Sequence, residues 1–188
     1  MKKLLTYATA LIGLATPAAA SVELVAGHRQ TTADAKVFSE LTDRTSFFFR
    51  NRIWETHGDK AGMFSLMDLS YWFTDDANLF AEPVYNPGEE MNLRLGGFAK
   101  KGDLSTSVVY GIRDEAVEFW AYLDQEQDGI ERKLELISNW GDEHNFSHAR
   151  FRKGVVKDGH SRGVSIDVSL SGPSFDLSYN IGFYVTIK

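Results

Sequence analysis

The sequence predicts an all-β fold, an antiparallel up-and-down transmembrane β-barrel of about ten strands, and three observations carry that expectation. The first is the last stretch, 174–187. Phe175, Leu177, Tyr179, Ile181, Phe183, Val185 and Ile187 are apolar there, and Ser174, Asp176, Ser178, Asn180, Gly182 and Thr186 lie between them. Successive side chains of a strand point to opposite faces, so this segment has one oily wall and one wet wall. It is long enough for the roughly 9 to 11 residues that a tilted strand needs to cross a bilayer. The second observation is turn chemistry at short, even intervals, the mark of an antiparallel meander. The third is an export signal at the start of the chain.

That signal begins with the basic residues Lys2 and Lys3, continues through an apolar run at 4–14, and ends in Ala18, Ala19 and Ala20, small residues that a signal peptidase accepts. Residues 1–20 therefore read as a cleaved signal peptide with Ser21 as the first mature residue. An uncleaved anchor helix is the alternative, but the apolar run falls short of the roughly 20 residues that a spanning helix needs. The chain has no cysteine. This removes an acylated lipoprotein, disulfides, thiolate nucleophiles and cysteine-ligated metal sites.

Residues 21–44 read as a lead-in, with 22–26 as a short strand, 34–41 as a short helix, and room for a hidden strand pair. The barrel domain is 45–188. Within it, breaks rich in Gly, Asp and Asn at 57–60, 74–78, 86–89, 100–103, 113–115, 125–129, 141–144, 156–160 and 171–173 separate ten strands. These are 45–56, 63–73, 79–85, 90–99, 104–112, 116–124, 131–140, 145–155, 161–170 and 174–187. Bacterial single-chain barrels have even strand numbers, so eight and twelve are the neighbouring choices. The net charge of −6 argues against nucleic acid.

Alternation alone leaves two orientations open, because a soluble ligand-binding barrel turns its oily wall inward. The polar wall decides. Phe47, Phe49 and Ile53 share one face of their strand while Arg50 and Arg52 share the other; Val164, Ile166, Val168 and Leu170 oppose Ser165, Asp167 and Ser169. The same sorting puts Arg94, Glu118, Glu135, His148, Arg150, Arg152 and Asp176 on polar walls, while Lys60, Lys100, Lys101 and Lys157 fall in turns. Arginine mixed with carboxylates mid-strand suits a crowded polar interior. Facing lipid at mid-membrane, each arginine would cost roughly 2 to 4 kcal/mol. Trp54, Tyr71, Trp72, Phe73, Tyr85, Trp140 and Tyr184 lie toward strand ends, where rings meet headgroups. Asn51 and Asp68 fall near apolar faces, which a bulge or a one-residue slip would explain.

The signal peptide, the meander of hairpins and the final alternating strand resemble small bacterial outer-membrane β-barrel proteins over nearly all of the chain after Ala20. The resemblance implies a Gram-negative outer membrane as location, and outer-membrane lipid and the barrel-assembly machinery as partners, the latter through the C-terminal strand. That strand departs from the usual terminal aromatic by ending Ile187-Lys188.

No cofactor, metal site or catalytic residue is expected. His144 and His148 are about 13 Å apart along a strand, too far to share an ion unless 141–145 loops back to bring in Glu143. Ser147, His148 and Asp167 could form a hydrolytic cluster, but no nucleophile-elbow motif supports it. The promising group is the inward set Arg50, Arg52, Arg94, Arg150 and Arg152. It lines a narrow, anion-selecting pore, or it forms a salt-bridged plug with Glu118, Glu135, Asp167 and Asp176. The expected function is thus a structural or narrow-pore outer-membrane barrel with an Arg-rich lumen. The alternatives are a soluble periplasmic or secreted barrel with a small apolar ligand, and a lipid-acting barrel enzyme.

Overall fold

A computed structural model describes residues 19–56, 61–141, 145–172 and 176–187. Most of the signal region lies outside them, as do Glu143 and His144 of the alternative metal site. The described residues form twelve strands: β1 (Ala19–Gly27), β2 (Gln30–Thr42), β3 (Thr45–Thr56), β4 (Ala61–Thr74), β5 (Ala77–Tyr85), β6 (Asn92–Lys101), β7 (Leu104–Gly111), β8 (Val117–Gln127), β9 (Ile130–Trp140), β10 (Phe146–Lys157), β11 (His160–Ser171) and β12 (Asp176–Ile187). Each pairs antiparallel with its chain neighbours. The barrel closes where β1 meets β12, from Val22 opposite Ile187 to Gly27 opposite Gly182.

The strand count is twelve, not ten, and the added pair is β1 and β2, in the segment expected as a lead-in. Thr32, Asp34 and Lys36 face inward there and Ala33, Ala35 and Val37 outward, so period-two alternation is present. Alanine hides it, because alanine favours helix and is depleted in strands. β1 already begins at Ala19, within the segment expected to be cleaved.

The two rims differ. Where β1 starts and β12 ends, all five connections are two residues long. Asp128-Gly129 and Asp158-Gly159 both adopt positive φ at each position, the type I′ geometry whose twist matches that of paired strands. At the opposite rim 86–91, 112–116 and 141–145 are longer.

The oily wall points away from the barrel. Phe183 is 73% exposed, Leu79 62% and Leu69 57%, and Val164, Ile166, Val168 and Leu170 are exposed in one row. A continuous apolar girdle of this kind suits hydrocarbon, not water. It removes the expectation's soluble alternative, in which these residues would line the cavity. Asn51 and Asp68 involve no slip, since the β3–β4 register runs unbroken through Asn51 opposite Ser65 and Phe48 opposite Asp68. Asn51 faces outward and its amide donates to Ser65 Oγ at 2.6 Å, so two polar groups on the oily wall satisfy each other. Asp68 faces inward. Tyr71, Phe73, Tyr85 and Trp140 are exposed on the outer wall. Trp54, Trp72 and Tyr184 instead share the inner face with Arg52, Ser70 and Thr186, so they are not part of an aromatic belt.

Candidate functional site: the charged lumen

The inner wall is built from the residues that alternate with the oily ones, and antiparallel register sets opposite charges side by side. On β2, Asp34 is 1% exposed and takes both neighbours from β3. Arg50 donates from Nε to Oδ1 at 2.9 Å and from Nη2 to Oδ2 at 2.5 Å, and Arg52 donates from Nη2 to Oδ2 at 2.9 Å. On the far side, Arg150 of β10 lies between its two register partners, Glu135 of β9 and Asp167 of β11. It is bonded to Asp167 and stands 3.7 Å from Glu135.

Other pairs reach over intervening strands. Arg94 of β6 binds Glu82 of β5 and extends past β7 to Glu118 of β8 at 3.0 Å, where Trp120 Nε1 also donates to Glu118 at 2.5 Å. β7 presents Val109 and Gly111 at this level, the latter covered by Asp114 and Asn92. Arg152 of β10 spans β11 and β12 to make a two-pronged bond with Glu23 of β1, over Gly182 and the fully buried Ser165. Tyr184 lies 1% exposed against Gly154, where a Cβ would stand 2.3 Å from its hydroxyl. That hydroxyl donates to Glu131 at 2.8 Å, and Lys133 Nζ holds the other oxygen at 2.7 Å. A two-pronged guanidinium to carboxylate bond fixes orientation as well as charge, so these contacts also pin strand register.

The Arg50 guanidinium lies 5.8 Å from the ring centre of Trp120. β3 and β8 are separated by four strands on one side of the barrel, so this contact crosses the interior. Beside it, toward the rim of two-residue turns, a cavity of about 490 Å³ opens between Phe38, Phe48, Trp72, Phe80, Phe98 and Trp120. Arg50, Asp68, Glu82 and Arg94 also line it.

Arg50, Arg52, Arg94, Glu118, Glu135, Arg150, Arg152 and Asp167 thus all lie on the luminal face. Asp176 has the same parity as Asn180, Gly182 and Thr186 but does not join the network: it is exposed at the start of β12 and makes no ion pair with any described residue. Sequence reasoning missed Glu23, Asp34, Glu82 and Glu131, the carboxylates that complete the network. Glu82 alternates with Leu79 and Ala81 and was legible; Glu23 and Asp34 lay in the unassigned lead-in. The hydrolytic cluster does not form. Ser147 points to the other face and bonds Ser138 Oγ at 2.8 Å, while His148 Nδ1 meets Ser169 Oγ at 2.7 Å and its Nε2 stands 3.6 Å from Asp167, which also binds Arg150.

An oily outside, a paired-charge inside and a closed twelve-strand meander define an outer-membrane-type β-barrel. Among solved structures, the fold matches one described as "KdgM porin", with a TM-score of 0.59 and 10% identity over 90% of this chain and 98% of that one. A second match is "KdgM porin in complex with disordered oligogalacturonate", at 0.59 and 12% identity over 89% and 98% of the two chains. A third comes from work on in-meso crystallization of membrane proteins, at 0.54 and 12% identity over 89% and 82%. At these identities the likeness is one of fold. No protein-family model matches the chain, and no curated protein matches it by sequence.

Proposed function

We propose that the protein is a narrow channel of the Gram-negative outer membrane, exported by residues 1–20 and inserted by the barrel-assembly machinery through β12. The observation that carries the reading is the lumen itself: among the described residues Arg50, Arg52, Arg94, Arg150 and Arg152 are each held against a carboxylate, leaving an aromatic-walled cavity beside the Arg50 to Trp120 contact. Paired charges give a lumen that is polar but close to neutral, so small hydrophilic solutes pass with weak charge preference. The porin fold of the matching structures supports a channel role. The polymer named with one of them is an acidic saccharide. Such a solute would here have to compete with Asp34, Glu82 and Asp167 for the guanidinium groups, and this favours neutral solutes for this chain.

Conductance in planar bilayers tests this. The native chain should give small, steady current steps. The Arg50→Ala, Arg150→Ala double variant should give larger steps with a shift toward cations, because two guanidinium groups leave the lumen and their carboxylates stay. Silence in both proteins would remove the channel and leave a structural barrel with a filled lumen.

A further inference from the structure

At the rim of two-residue turns the outer wall is apolar around most of the barrel, with Leu41 on β2, Phe73 on β4, Leu79 on β5, Leu104 on β7 and Ile187 on β12 all exposed. β9, β10 and β11 break this band. Arg132, Lys153, Lys157 and Arg162 all point outward there, all are exposed, and none forms an ion pair with a described residue. Arg132 and Lys153 are direct register partners. Their Cβ atoms therefore sit about 5 Å apart, an arrangement of like charges that is unfavourable without an anion between them. Arg162 lies between its partners Val155 and Val185. With Lys157, His160 and Ile187 they edge a groove of about 410 Å³, on whose described lining Asp158 is the one acid.

We propose that this sector is a binding site for the phosphate headgroup of an anionic phospholipid in the periplasm-facing leaflet. The site rests on the membrane reading above and is independent of whether the lumen conducts. Short turns mark the periplasmic rim of outer-membrane barrels, which sets the leaflet. Arg132 and Arg162 are each the third residue of their strand, about 7 Å of rise from its end. This is headgroup depth, where the penalty on a lipid-facing arginine nearly vanishes. The four cations supply charge complementarity to a phosphate, and the valines beside Arg162 supply a bed for the first acyl carbons. An acidic soluble protein fits less well, since the groove is flanked by apolar wall on β12.

The test is lipid retention. The full chain is refolded in zwitterionic detergent, its folding confirmed by heat-modifiable gel mobility, and then titrated with phosphatidylglycerol and with the matching phosphatidylcholine while bound lipid is counted by native mass spectrometry. Phosphatidylglycerol should bind more tightly. The Arg132→Gln, Lys153→Gln, Arg162→Gln variant should lose about fivefold in affinity per cation removed, roughly a hundredfold together. Lys101→Gln, which removes an outward cation at the same rim on β6, should change nothing, and the charge-keeping Arg132→Lys, Lys153→Arg variant should bind as the native chain does. Equal retention of the two lipids, an unaffected triple variant, or, in a parallel titration with lipopolysaccharide, tighter binding of that opposite-leaflet lipid would overturn the site. A chain that folds in plain buffer before any lipid is added would instead overturn the membrane reading beneath it.

Discussion

The lumen has two unlike halves. Along β9 to β12 and β1 the wall carries small residues, Gly154, Ser161, Gly163, Ser165 and Gly182, and long side chains lie flat across them: Arg152 reaches Glu23, and Tyr184 reaches Glu131. Along β3 to β8 bulky rings crowd the inner wall: Phe80 lies over Gly96 and Trp54 over Gly62, while Phe48, Trp72, Phe98 and Trp120 border a cavity. Both halves belong to one closed sheet. How full a barrel becomes is therefore set locally, by how the large inward side chains of each sector are distributed among small ones, and only loosely by strand number. The interlocked half fixes register, and the open half is where a solute finds room.

Arg152→Ala should have the largest effect on stability. It leaves Glu23, a buried carboxylate with no other cation within ion-pair distance among the described residues, and removing one partner of such a pair costs roughly 3 to 5 kcal/mol. Urea unfolding in lipid vesicles measures it. A loss below about 1 kcal/mol would mean that water enters this half and that the two halves are alike.

Next in size is Val168→Arg. Val168 is exposed on the outer wall within the apolar row of β11, three residues before its end, so the change places a charge against hydrocarbon at a cost of up to roughly 2 to 4 kcal/mol. Asp167→Asn, one residue away and facing inward, keeps an acceptor for Arg150, while Glu135 still offers a negative charge. It should cost only about 1 to 2 kcal/mol. Folding yield into vesicles compares them, and equal tolerance would contradict the assignment of faces.

The outer wall was largely legible in the sequence, because period-two alternation of bulky apolar residues, as in Leu177 to Ile187, has few other readings. Closure was less so. Residues 22–26 were read as a short strand, but Ala33 and Ala35 are weak strand signals, so 34–41 read as a helix where β2 runs, and the pair was left out of the barrel with Glu23 and Asp34. Alternation tells which wall a residue occupies but not how far its side chain reaches. Arg50, Arg52, Arg150 and Arg152 were thus found as a set, whereas the partners of Arg94 on β8 and of Arg152 on β1 depend on which intervening residues are small. Trp54, Trp72 and Tyr184 were misplaced for a related reason: nearness to a strand end says nothing of parity, and each falls on the inner one. The outward cations of β9 to β11 were missed because a mid-strand arginine was expected always to face inward.

The smallest effects come from a matched pair of substitutions, Tyr184→Phe and Trp72→Phe, each removing one hydrogen bond. Tyr184 is among the most enclosed side chains described, and its partner Glu131 is equally buried at 1% exposed. Losing the hydroxyl leaves the carboxylate with Lys133 and one bond fewer in a space that Gly154 keeps too tight for ready water entry, so a cost of about 1 to 3 kcal/mol follows. Trp72 donates from Nε1 to Ser46 Oγ at 2.7 Å, but it is half-buried and lines the cavity, so water can replace the lost donor. Its cost should stay near 0.5 kcal/mol, with the ring still meeting Phe98 edge-on. Equilibrium unfolding of both variants reads the difference directly. Equal costs would mean that the cavity is as dry as the interlocked half, and a dry cavity beside the Arg50 to Trp120 contact would not pass a hydrophilic solute.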